Sequence, residues 1–79
     1  MIEIEKFRNW LKENTAYSEA VVGDIISRVK RADNILPWSN EETYQFYLEK
    51  QSTYKMLSVS VRSQIKKAVK LYSEFAGIE

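Results

Sequence analysis

Four basic side chains crowd residues 61–75, VRSQIKKAVKLYSEF: Arg62, Lys66, Lys67 and Lys70, with no acid before Glu74. Cations at this spacing suit one chemistry above others, the neutralisation of phosphates with release of their counterions. The same row would also fit the solvated back of an ordinary helix, so its neighbours decide. Catalysis has less to work with. There is no cysteine and no histidine, which removes the commonest nucleophile–base pair and the usual zinc ligands. A Ser–Lys pair is formally available, but the serines stand where helix caps belong. The carboxylate pairs Glu3/Glu5 and Glu41/Glu42 fall at helix starts, where dipole and capping account for them. Two isolated glycines cannot build a phosphate loop. The expectation is a non-enzymatic chain with no cofactor and no metal.

The charge is sorted along the chain although the net charge is only +1. Met1–Ser27 holds three bases and five acids, and Arg28, Lys30 and Arg31 follow as a cluster. Ala32–Glu49 has four acids and no base, and Lys50–Ser73 has six bases and no acid. Such sorting can produce one basic face on a nearly neutral domain.

Positioning that face falls to helices. With 79 residues, 44% of them hydrophobic and 13% aromatic, the chain is read as one domain, 1–79, with a core of apolar side chains alone. No signal-peptide or membrane-spanning run is apparent, and a soluble, cytoplasmic protein without membrane contact is expected. Four helices are predicted. The first covers about Ile2–Asn14, with Phe7, Trp10 and Leu11 at helical spacing. The second starts at the N-cap Ser18 and runs to Asp33 or Leu36 before Pro37, with Val22, Ile25, Val29, Ala32 and Leu36 inward. Gly23 faces outward, as tolerated drift or as a point of close approach by a partner. Ser39 to Glu42 reads as a capping box for a third helix ending near Gln51, with Tyr44, Tyr47 and Leu48 on its inner face. Trp38 is expected to staple that junction rather than serve as a ligand platform. Tyr54, Met56 and Leu57 are expected to form a packed lid over the ill-defined Ser52–Ser58, with Lys55 a solubility residue. Ser58 or Ser60 caps the fourth helix, and Gly77 stops it.

On the fourth helix, turning about 100° per residue puts Ile65, Ala68, Val69, Tyr72, Phe75 and Ala76 on one broad face. Arg62, Lys66 and Lys70 form an i, i+4, i+8 ladder at its flank and rear, sharing that surface with Ser63, Lys67 and Ser73. Like charges one turn apart repel by roughly 0.2–0.5 kcal/mol per pair. The helix dipole accounts for Lys70 near the C-terminus, but it disfavours Arg62 near the start. Arg62, Ser63 or Gln64 could reach base edges if the helix entered a DNA major groove. Arg28, Lys30 and Arg31 would add a second line of contact should the second and fourth helices lie side by side.

Two stretches also carry a family resemblance. The pattern Phe7-x-x-Trp10-Leu11, then Ser18, Val21-Val22, Ile25, Val29 and Ala32, resembles the start of the core-binding domain of tyrosine recombinases, the phage-type integrases. Ile65-Lys66-Lys67-Ala68-Val69-Lys70-Leu71-Tyr72-x-x-Phe75 is similar to that domain's last helix. Val21 stands where the family favours Thr, Ile25 where it favours Tyr, and Ala32 where a larger group is usual. The resemblance implies a SAM-like four-helix bundle that clamps one side of duplex DNA with its second and fourth helices. It implies nucleoid association and places the cleavage chemistry in a separate catalytic domain. The chain is then expected to be either an N-terminal piece of an integrase, covalently linked to that domain in a longer protein, or a free-standing domain of the same shape. None of the five tyrosines then inherits a nucleophile role; Tyr44, Tyr47 and Tyr72 are core by spacing.

The resulting expectation is an all-α, compact four-helix SAM-like bundle that binds double-stranded DNA. Arg62, Lys66, Lys67 and Lys70 hold phosphates, Arg28, Lys30 and Arg31 support them, and Ser63 and Gln64 are candidates for base contact. A homo-oligomer on DNA stays open. The rival expectation is a module whose basic face docks an acidic protein, or a second copy offering its acidic surface from Asp33 to Glu49.

Overall fold

Two serines start the two longest helices. Ser18 Oγ accepts the Val21 amide hydrogen at 3.3 Å, and Ser58 Oγ accepts that of Val61 at 3.3 Å, each satisfying one of the orphan donors of a first turn. A computed structural model describes residues 2–77, and in them the chain is all-α. The helices are α1 (Ile4–Asn14), α2 (Glu19–Ile35), α3 (Tyr44–Glu49), α4 (Ser52–Lys55) and α5 (Val59–Phe75). The stops also follow local chemistry. Leu36, ahead of Pro37, leaves the helical region at φ −143° and ψ 116°, as a residue before proline must. Gly77 takes φ +79°, a left-handed C′ position that favours glycine.

The two 17-residue helices α2 and α5, each about 25 Å long at 1.5 Å per residue, pack along each other as the central pair. α1 lies against both, and α3 and α4 pack on one another. Phe7 and Leu11 of α1 meet Val22, Ile25, Ile26 and Val29 of α2 and Ala68 and Tyr72 of α5. At the other end Ala32, Tyr44, Leu48, Tyr54, Ile65 and Val69 form a second cluster. The Val, Leu, Ile and Phe side chains among these each contribute about 1.5–3 kcal/mol by leaving water, and the two alanines less. Trp38 touches both clusters, its ring 4.6 Å from Tyr44 and 4.7 Å from Tyr72. Its backbone N–H donates to Asp33 Oδ1 at 2.8 Å. Trp38 is thus the staple its position suggested.

The middle of the chain departs from expectation. The four-helix count misses α4, a single turn where no element was foreseen. The capping box at Ser39–Glu42 does not form: α3 starts at Tyr44, and its N-cap Thr43 makes no side-chain cap bond. Tertiary anchors explain the delay. Tyr44 Oη donates to the Leu36 carbonyl at 2.6 Å, with the Ala32 carbonyl 3.2 Å away. Those bonds pin the start of α3 to the end of α2. Tyr47 is not core, being 50% exposed, and Met56 is no lid at 85% exposed. Within a six-residue helix only Tyr44 and Leu48 reach the interior.

Candidate nucleic-acid interface

α5 turns Ile65, Ala68, Val69 and Tyr72 into the core, and this leaves Ser63, Gln64, Lys66, Lys67 and Lys70 exposed on its outer side. These five residues line one shallow depression. Arg62 behaves differently. It is half-buried, its carbonyl accepts the Tyr54 hydroxyl at 3.0 Å, and its Nε is buried without a hydrogen-bond partner. The first rung of the expected ladder is therefore held against the bundle, and the free cations are Lys66, Lys67 and Lys70.

The pairing of charge separates α1 from the rest of the described chain. Among the described residues, ion pairs within 4.0 Å are Lys6–Glu3 at 3.5 Å, Arg8–Glu5 at 3.9 Å and Lys12–Glu19 at 3.2 Å. All three use a base of α1. No base of α2 or α5 has such a partner among these residues.

Of the three bases on α2, the structure brings one to α5. Arg28 lies on the flank of α2 that carries Val21 and Ile25, and it lines a cleft shared with Gln64, Lys67 and Lys70. Lys30, two residues on, is turned about 160° round the helix, and Arg31 lies about 60° from Arg28 on the side away from the core. Both are exposed, but neither lines the cleft. The side-by-side packing of the two helices was the condition for a second contact line, and it supplies that line through Arg28 alone.

The opposite flank of α5 holds a feature that the sorting of charge along the chain does not suggest. Glu41 and Glu42 share a small depression with Lys66, Lys70 and Ser73. Acids distant in sequence thus border the basic row in space, without closing to within 4.0 Å of it. The row is bounded by carboxylates toward α3 and open toward α2.

Three of the tyrosines are locked in place. Burial pushes the Tyr44 phenol well above its ordinary value, and the nearby Asp33 carboxylate adds to the effect. Burial likewise raises Tyr54 and Tyr72. Tyr72 Oη accepts the Glu3 amide hydrogen at 2.9 Å, tying the entry of α1 to α5. Such neutral, hydrogen-bonded phenols serve as struts.

Sequence reasoning overlooked the exposed Tyr17 and Val21, 48% and 39% accessible, which stand in the cleft beside Arg28. The available signal was Val21 at i−7 from Arg28, on the same flank of α2. No described helix is long and apolar enough to cross a membrane. No family model, no curated protein and no solved structure matches this chain.

Proposed function

We propose that this chain is a non-catalytic, double-stranded DNA-binding domain of the kind found ahead of the catalytic domain in phage-type integrases. The observation that carries the reading is the outer row of α5: Lys66, Lys67 and Lys70 are exposed on one surface and have no ion-pair partner among the described residues. Phosphates are the partner whose charge and spacing suit such a row, since each one neutralised releases condensed counterions. Ser63 is placed to add a hydroxyl contact to the backbone. Gln64, between the row and the cleft, is the candidate for a base edge, because a side-chain amide can read adenine in the major groove.

Arg28 extends the surface across to α2. Lys30, Arg31 and Arg62 act at longer range, raising the local potential rather than gripping a phosphate. Glu41 and Glu42 repel phosphate on the α3 side, so the duplex lies over α5 toward α2. Strand cleavage in this reading belongs to a separate domain of a longer, nucleoid-associated protein, because Tyr44, Tyr54 and Tyr72 are structural here.

The test is fluorescence anisotropy with a labelled random-sequence duplex across a salt series. Four phosphate contacts give a log–log slope of roughly −4. Neutralising two of them with K66Q/K70Q should reduce the slope to about −2. A salt-independent signal, or a double variant that binds like the parent, would remove the reading.

A further inference from the structure

The cleft between α2 and α5 is more than phosphate chemistry requires. It measures about 440 Å³, and Val21, Ile25 and Leu71 form its apolar floor with Tyr17 at the side. Tyr17 and Val21 remain substantially exposed, although the buried Ile25 and the half-buried Leu71 beside them belong to the core wall. Arg28, Lys67 and Lys70 stand along the rim, and Glu74 is the acid that lines it. No residue of α1, α3 or α4 lines the cleft. It is the open valley between two long helices packed side by side.

A phosphate backbone has no use for a floor of Val, Ile and Leu. A helix does: the valley between two packed helices accepts the ridge of a third, and anchors at i, i+3, i+4 and i+7 are the usual way an amphipathic helix fills it. The rim fixes the sign of that helix. Three cations without an ion-pair partner among the described residues complement carboxylates flanking the apolar anchors. We infer that the α2–α5 cleft is a docking site for an acidic amphipathic helix of a partner protein. Gln64, Lys67 and Lys70 line both surfaces and Arg28 serves both, so the partner and the duplex exclude one another. Lys66 lies outside the cleft and serves DNA alone; Tyr17 and Val21 lie outside the α5 row and serve the partner alone.

This division gives a double dissociation. The probe is a synthetic helical peptide with Leu at i, i+3, i+4 and i+7 and Glu elsewhere, titrated into ¹⁵N-labelled protein. Two further peptides control for charge alone (each Leu replaced by Ser) and for sign (each Glu replaced by Lys). The acidic amphipathic peptide should shift Val21, Gln64 and Lys67 amides and displace bound duplex. Tyr17→Ala with Val21→Asn should weaken the peptide by about tenfold or more while leaving duplex binding unchanged. Lys66→Ala should do the reverse. Both variants alter exposed side chains, and an unchanged spectrum elsewhere checks the fold. Absence of shifts overturns the inference, as does an equal response to the Ser-substituted peptide. Duplex that shifts Tyr17 and Val21 as the peptide does would assign the cleft to DNA and overturn it as well. A duplex that fails to bind at low salt, beside a peptide that binds, removes the DNA reading and leaves the docking site standing.

Discussion

α1 and α5 are both amphipathic surface helices, and they treat their charges in opposite ways. α1 sets Lys6 against Glu3 and Arg8 against Glu5 at i, i+3 spacing, and Lys12 reaches Glu19 at the start of α2. α5 places Lys66 and Lys70 one turn apart with Lys67 between them and no acid within 4.0 Å among the described residues. The first arrangement is what a solvated face looks like when nothing further is asked of it. The second keeps a repulsion that an external anion would relieve. The difference between the two helices is therefore a better indicator of function than the net charge, which is almost zero for the chain as a whole.

The largest effect should come from inverting the charge of each helix in turn. K66E/K70E is expected to weaken duplex binding by roughly a hundredfold or more at low salt, about 2.7 kcal/mol. K6E/K12E on α1 should leave it within about threefold. Equal losses from the two would erase the distinction.

A second group of tests separates binding from folding. Tyr44→Phe removes the donor that ties α3 to the Leu36 carbonyl and should cost about 1–3 kcal/mol in denaturant unfolding. Its duplex affinity should hold at temperatures where the fold persists. The same residue sets an alkaline limit. The folded-state values of Tyr44, Tyr54 and Tyr72 all lie above the ordinary phenol value. In that range the unfolded chain releases protons the folded chain retains, so stability declines as pH rises past about 10. Below that value their contribution is fully present. Urea midpoints measured from pH 8 to 11 should fall at the alkaline end, and the fall should be shallower in Tyr44→Phe.

The fold is more legible in the sequence at the ends of the chain than in its middle. Ser18, Ser58, Pro37 and Gly77 act through their nearest neighbours in sequence, and each does what its type dictates. Residues 39–57 were less legible. The start of α3 is set by Tyr44 reaching back 8 and 12 residues, which no local capping pattern reports. Tyr47 and Met56 look like core material, but helices of six and four residues have too little inner face to bury them. The basic row on α5 was visible in the sequence. Its acidic border at Glu41 and Glu42, and the choice of Arg28 over Lys30 and Arg31, depend on how the helices pack.

Smaller effects sharpen the contrast. Gly23→Ala should stabilise the fold by about 0.4–1 kcal/mol, because a Cβ there meets nothing within 4 Å and the position is mid-helix. Unchanged duplex affinity in that variant would show that no partner backbone approaches Gly23. Smallest of all, Glu3→Gln and Glu5→Gln should each change stability by less than about 0.5 kcal/mol, since exposed pairs contribute little. Thermal unfolding of the two variants against the parent checks this. A larger loss would mean that α1 uses its ion pairs to hold the fold, and that α5 lacks them for some other reason.

The most direct test of the central claim is an NMR titration of short duplex DNA into ¹⁵N-labelled protein, first at low and then at physiological salt. Shifts are expected on Ser63, Gln64, Lys66, Lys67, Lys70 and Arg28 that shrink as salt rises, with the amides of α1 and of Glu41–Glu42 unmoved. Shifts spread evenly over both helices, or none on α5 at low salt, would contradict it.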